Sequence, residues 1–350
     1  MKFLEELLAK DNENISLLPD LPLRPTEPQG FSPDQMLRCE GCLRPNPPTR
    51  VECLYCGHVL PLSEAATSLV TPALRPPEKW EHGYNLILMK VAAGDLSDDA
   101  VNKASDLLRL EVEDLKRILT AKTSLPLART AAQAEAAVLD RSLGALGLET
   151  TIVSDANLAA DAASPRRLRT LDLNENNFVA YQTSGSEKTV IDWTAVTLIV
   201  TARLIARQVE IKERKGRGSL KQIENASETM SDEEVVDIHT SGHEAAWRIT
   251  SNSFDFSCLE GRKTLLSSEN FSTLIALILE RASNAAHDNA YNGVRRALEL
   301  VWPSEPQTVS GGWHRERAGK YSTREVTMST NEPQFTRYSQ LRHLLRNVPI

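Results

Sequence analysis

The sequence predicts a multidomain α+β protein. Its 350 residues are more than one ordinary hydrophobic core holds together, so two or three domains are expected. Proline-rich stretches divide the chain into parts that differ in pattern. One part is rich in cysteine, one mixes helical and strand-like segments, and one is a run of strands followed by a helix. The predicted architecture is therefore a small metal-stapled unit, a β-α-α-β-α-β module, and an antiparallel β barrel capped by a helix.

Composition sets the broad class. Hydrophobic residues make up 41% of the chain and charged residues 25%, as in soluble globular proteins. These values exclude collagen, a wholly disordered chain and a membrane bundle. The net charge of −7 argues against a protein that coats nucleic acid through overall positive charge.

The N-terminus and the clustered cysteines predict a reducing, cytoplasmic location. Glu5 and Glu6 interrupt the first apolar residues, so the N-terminus does not read as a secretory signal. The apolar stretch 190–206 contains Asp192 and Arg203 and many β-branched residues, so it predicts strands and not a transmembrane helix. In chain order, the predicted segments are a short amphipathic helix (1–10), a proline-rich linker (11–36), the cysteine-rich unit (37–62), a linker (63–83), the α+β module (84–154), a linker (155–166), the barrel-like domain with its helix (167–283) and a helical, basic extension (284–350).

Two Cys-x-x-Cys pairs form the clearest motif in the chain. They are Cys39–Cys42 and Cys53–Cys56. Two thiolates three positions apart can wrap one ion in a tight turn, and two such turns supply the four sulfurs that tetrahedral Zn²⁺ prefers. One structural zinc ion is therefore expected. Iron is the main alternative metal, and two disulfides or a redox pair are the alternatives without a metal. His58, beside the last cysteine, is a further candidate ligand, although four cysteines already satisfy zinc.

Residues 37–62 resemble the short zinc-ribbon family, in which a loop separates two Cys-x-x-Cys turns and the second turn ends in glycine. Gly57 matches that glycine, whereas Leu43 stands where the family often has another, so the first turn is expected to be less regular. The resemblance implies structural zinc and functions that range from nucleic-acid binding to protein binding.

Residues 84–154 predict a compact α+β module. A buried strand (84–91) precedes a helix capped by Ser97, and a second short helix follows. Pro126 places the next strand at a sheet edge, and Gly147 ends the last helix before the final strand. This order is similar to that of the C-terminal domain of the ribosomal stalk protein and of the related Clp protease adaptor. The resemblance implies a partner-docking module without catalysis.

Residues 167–283 predict a meander of strands and then a helix. Strand-like runs include 167–173, 178–183, 197–205 and 208–213, and Phe254, Phe256 and Cys258 alternate as in a further strand. The order looks like the pleckstrin-homology-like barrel, and the turn at 191–193 is similar to one common in its bacterial members, so a bacterial protein is expected. The resemblance implies binding of lipid headgroups, peptides or proteins.

One basic loop within this region is a candidate anion-binding site. Its flexible backbone and clustered cations suit an anionic partner, although a solvated loop has the same composition. Its residues are Lys212, Arg214, Lys215, Arg217 and Lys221.

The sequence contains no complete catalytic motif. At 243–247 a tryptophan stands where a zinc protease needs its second histidine, and Cys258 reads as a buried thiol. The sequence therefore favours a non-enzymatic scaffold or adaptor that binds partner proteins. The alternatives are a nucleic-acid-binding regulator that uses the ribbon and a peripheral protein that binds anionic lipid. Oligomeric state is not predicted.

Overall fold

A computed structural model describes residues 31–48, 50, 53–58, 60, 82–91, 96–158, 164–182, 188–216, 222–242, 245–317 and 320–347. The chain divides into two compact units, Met1–Thr71 and Pro72–Ile350. The predicted helix over 1–10, and most of the predicted linkers 11–36 and 63–83, lie outside the described residues.

The first unit is small. A 3₁₀ turn, Pro33–Gln35, precedes two short antiparallel strands, β1 (Leu37–Arg38) and β2 (Pro45–Asn46). Its described core consists of Cys39, Cys53 and Leu60, with Cys42 packed against it.

The second unit begins with the module predicted from the sequence, and the order of its elements is as predicted. The elements are β3 (Tyr84–Val91), α1 (Asp98–Leu108), α2 (Val112–Thr120), β4 (Pro126–Thr130), α3 (Gln133–Ala145) and β5 (Leu148–Ser154). The sheet order is β4-β3-β5, with both pairs antiparallel, so Pro126 lies on an edge strand as expected. The Ser97 hydroxyl accepts a hydrogen bond of 3.2 Å from the amide of Ala100, and Gly147 follows α3 with φ +91°.

In the described residues, the rest of the unit is built on a ten-stranded sheet that curls into a half-barrel. After α4 (Asp155–Leu158), its strands are β6 (Arg166–Leu173), β7 (Asn177–Gln182), β8 (Lys188–Asp192), β9 (Val196–Gly216), β10 (Gln222–Thr240), β11 (Trp247–Thr250), β12 (Ala286–Asp288), β13 (Gln307–Ser310), β14 (His314–Arg317) and β15 (Lys320–Thr330). The helices are 3₁₀ turns at Trp193–Ala195 and Phe256–Arg262, and α5 (Ser267–Arg281), α6 (Tyr291–Leu298) and α7 (Glu332–Asn347). The strand order is β13-β15-β9-β10-β11-β6-β7-β8, with β12 and β14 paired at the side to β9 and β15.

Strand β9 is buried on both faces in its first half. Leu198, Val200, Ala202 and Leu204 point into one core, and Ile199 points into another. Successive side chains of a strand face opposite ways, so the two cores lie on opposite sides of the sheet. Helix α5 packs in the second core, whereas the small sheet, α6 and α7 share the first. The centre of this unit is therefore three layers thick.

Several predicted details of the barrel differ from the structure. The described sheet is an open order of strands, and it includes parallel pairs β11–β6 and β12–β9. Runs 197–205 and 208–213 form one strand, because no turn residue separates them. Phe256 and Cys258 lie in a 3₁₀ turn and not in a strand, because the Asp255 carboxylate accepts a 3.0 Å hydrogen bond from the amide of Ser257 and bends the chain.

The predicted boundary at 155–166 does not divide the hydrophobic core. Trp302 is fully buried, and its indole N–H donates a 2.8 Å hydrogen bond to the Asn85 side chain in β3. Helix α2 contacts α6, and α4 contacts α7. The described part of the predicted helical extension (284–350) also contains four strands, β12 to β15, in the large sheet.

Candidate metal centre

Four cysteine side chains converge in the first unit. The sulfur atoms of Cys39, Cys42, Cys53 and Cys56 all lie within 4.8 Å of one another. The sulfurs of Cys39 and Cys56 are 3.6 Å apart, and those of Cys42 and Cys53 are 3.5 Å apart. Four sulfurs at about 2.3 Å from a tetrahedral ion are about 3.8 Å from each other, whereas a disulfide joins sulfurs at about 2.05 Å. The four cysteines are free thiols placed close enough to coordinate one metal ion.

The two cysteine turns have the same backbone hydrogen bonds. In each, the amide of the first cysteine donates to the carbonyl five residues later, and the carbonyl of that cysteine accepts from the amide four residues later. These bonds are Cys39 to Arg44 (3.0 Å), Leu43 to Cys39 (2.8 Å), Cys53 to His58 (2.8 Å) and Gly57 to Cys53 (3.0 Å). Leu43 and Gly57 adopt left-handed conformations, with φ of 59° and 71°. The expectation of a less regular first turn is therefore wrong, because Leu43 takes the backbone conformation that favours glycine.

Asn46 ties the loop between the turns to the sulfur cluster. Its side chain is fully buried and donates to the Cys53 sulfur at 3.4 Å and to the Arg44 carbonyl at 3.0 Å. Its side-chain oxygen accepts from the amide of Leu54 at 2.9 Å. Partners of this kind orient metal ligands. Sequence reasoning missed Asn46, since one asparagine among prolines carries no signal of its own.

The thiols differ in acidity. Burial raises the pKa of Cys53, but hydrogen bonds from the amides of Tyr55 and Cys56 outweigh this effect and bring that pKa to about 6. The amide of His58 lowers the pKa of Cys56, but burial and the neighbouring thiols raise it to about 12. Binding of a divalent cation here therefore has to displace protons.

His58 is exposed, and its ring lies close to Gly41. A Cβ carbon added at Gly41 would be 3.2 Å from that ring, so the glycine leaves room for it. The cluster of potential ligand atoms among the described residues consists of the four cysteines, without His58.

Exposed apolar side chains lie within or directly after the two cysteine turns. Leu43 is 70% exposed, Leu54 53% and Tyr55 54%. The Arg44 guanidinium lies over the Tyr55 ring, 4.7 Å from its centroid. The surface of the unit thus carries two exposed leucines and a tyrosine that has the Arg44 guanidinium over one face of its ring.

The predicted basic loop lies partly on a strand. Lys212, Arg214 and Lys215 belong to β9, whereas Arg217 and Lys221 lie outside the described residues. Both Lys212 and Arg214 form ion pairs with Glu224, at 3.3 Å and 2.8 Å. Two of these cations thus already have an acidic neighbour.

Cys258, the fifth cysteine, is half-buried and lies outside the sulfur cluster. Burial raises the pKa of its thiol to about 11, so the thiol is protonated at neutral pH. The thiol predicted to be buried in a strand is thus half-buried in a 3₁₀ turn.

Across the part of the chain that is described, no helix combines the length and apolarity that a bilayer crossing requires. Comparisons with family models, with curated proteins and with solved structures found no significant match. The sulfur cluster thus carries the zinc-ribbon resemblance by itself, and the likeness to the stalk, Clp-adaptor and pleckstrin-homology-like domains has no support from these comparisons.

Proposed function

We propose that the four cysteines bind one structural zinc ion, and that the ribbon they form is the protein-docking element of a non-enzymatic scaffold or adaptor. The support for zinc is the near-tetrahedral spacing of the sulfurs together with the size of the unit. A described core of Cys39, Cys53 and Leu60 buries too little apolar surface to hold a fold, so a bound ion has to supply the stability.

The observation that carries the docking role is Leu43. A non-glycine residue in the left-handed region costs on the order of 1 kcal/mol, and a leucine in water gains nothing by packing. Leu43 has both disadvantages, with φ 59° and 70% exposure. Strained, exposed apolar residues concentrate at functional surfaces, and Leu54 and Tyr55 extend this one.

A protein partner suits this surface better than a nucleic acid. Bases stack on open aromatic faces, and the Arg44 guanidinium already lies over one face of the Tyr55 ring. The two exposed leucines offer apolar contact, which is typical of the buried centre of a protein interface.

Site-specific photo-crosslinking in the native host tests this function. We expect a crosslinker in place of Leu54 to capture one discrete protein, whereas the same group in place of Leu265, which is fully exposed in the second unit, does not. Leu43→Gly relieves the strained backbone and removes the side chain, so it should keep the metal and lower the crosslink yield about tenfold. Crosslinks only to RNA, or an equal yield with Leu43→Gly, would contradict the docking role.

A further inference from the structure

A cavity of about 250 Å³, largely open to solvent, lies between strands β9, β10 and β15 of the large sheet and helix α6. Ile205 and Arg207 of β9, Met230 of β10 and Ser329 of β15 form its sheet side, and Arg295 and Arg296 of α6 line it from the helix. It lies within the second unit and contains none of the residues of the predicted basic loop.

Three guanidinium groups line this cavity, and two of them have no ion-pair partner among the described residues. Arg207 donates to Glu228 through Nε alone, at 2.7 Å, in the one ion pair the structure gives it. Arg295 is half-buried and Arg296 is exposed, and neither forms an ion pair within the described residues. In the described part of the chain, Arg295 and Arg296 thus form no ion pair, and Arg207 forms its pair with Glu228 through Nε.

The acidic side chain that lines the cavity is Glu299, and it accepts hydrogen bonds from neighbouring residues. Glu299 accepts from the Ser304 amide at 2.7 Å, from the Ser304 hydroxyl at 3.3 Å and from the Gln334 side chain at 3.0 Å. Its two oxygens therefore have partners, and it holds the end of α6 in place without pairing with Arg295 or Arg296.

Buried hydrogen bonds hold the residues at the floor of the cavity in place. Asn331 is buried, and its side chain accepts from the amide of Ile205 at 2.7 Å and donates to the carbonyl of Arg203 at 3.2 Å. Tyr291 donates to Gln334 at 2.8 Å in the buried layer beneath. A site held in this way is formed before a ligand arrives, which lowers the cost of binding.

We propose that this cavity binds a phosphate monoester. The three arginines exceed the two carboxylates beside them, Glu228 and Glu299, by one positive charge, and planar guanidinium groups match phosphate oxygens in pairs. Arg207, Arg295 and Arg296 hold the phosphate, and the carbon side of the ester lies against Ile205 and Met230. The ester is either a soluble metabolite or the headgroup of a lipid, since both present the same chemistry.

Calorimetric titration of the full chain with glycerol phosphate tests the proposal, alongside sedimentation with phosphatidylcholine vesicles that do or do not contain phosphatidic acid. We expect Arg295→Gln/Arg296→Gln to weaken binding at least about tenfold. The matched control is Arg262→Gln, which removes one exposed charge from a 3₁₀ turn and should change binding less than about twofold.

Binding of glycerol phosphate in solution supports a soluble ester, and retention only on vesicles that contain phosphatidic acid supports a lipid headgroup. Binding of neither ligand, or an equal loss of affinity in the Arg262→Gln control, overturns the proposal. If the double variant unfolds at a lower temperature, Arg296→Gln alone, at an exposed position, gives the same comparison in a chain with its fold intact.

Discussion

His239 is buried between the large sheet and α7. It is 1% exposed, its ring stacks on His343 with centroids 4.5 Å apart, and its Nε2 shares a 2.8 Å hydrogen bond with the Ser339 hydroxyl. Burial lowers the pKa of His239 to about 3; Asp237 opposes this shift, and His343 and Arg248 add to it. In the unfolded chain this histidine has an ordinary pKa of about 6.5. Below that pH the unfolded chain therefore binds a proton at His239 that the folded chain does not bind.

His239 should therefore make stability depend on pH. Because the folded-state pKa is depressed, its contribution falls as the pH drops below about 6.5, by about 2 kcal/mol between pH 7 and pH 5. We expect His239→Gln to lose that much less of its unfolding free energy over this interval than the native chain, as measured by urea unfolding at both pH values. The control His287→Gln, at an exposed histidine, should follow the native chain. An unchanged pH slope in His239→Gln contradicts this account.

At the scale of elements, local patterns predicted local structure well. The cysteine spacing placed the four sulfurs together, and Ser97, Pro126 and Gly147 marked the cap, the edge and the helix end that are observed. No local sequence pattern predicts the long-range contacts. Trp302, for example, donates a hydrogen bond to Asn85, which lies 217 residues earlier in the chain. Residues 223–232 of β10 are exposed and mostly polar, so no hydrophobic alternation indicated that they form a strand with β9.

The buried indole of Trp302 should couple the small sheet to the rest of the second unit. Trp302→Ala removes a fully buried ring and leaves the Asn85 oxygen without its donor, so we expect a loss of about 3–5 kcal/mol in unfolding free energy. Fluorescence and circular dichroism should report one shared transition, moved to lower urea. Trp313→Ala, at a residue 41% exposed, should cost less than about 1 kcal/mol. If residues 84–158 of the variant unfold in a separate transition at the midpoint of the native chain, the shared core does not couple the small sheet to the rest of the unit.

For the whole molecule, the two units derive their stability from different sources. The second unit has two large hydrophobic cores on either side of one sheet, whereas the described core of the first consists of two buried cysteines and one buried leucine. We therefore expect the first unit to depend on a bound ion, as the cysteine spacing in the sequence already indicated. The identity of the ion rests on coordination chemistry, since thiolates at this spacing also bind iron.

The most direct test is metal analysis with native mass spectrometry on freshly purified full chain, without added metal. We predict one zinc ion per chain, lost in Cys39→Ser and in Cys53→Ser and retained in Cys258→Ser, which changes the cysteine outside the cluster. A native chain that carries iron in place of zinc, or carries no metal with its four cysteines joined as disulfides, would contradict the account.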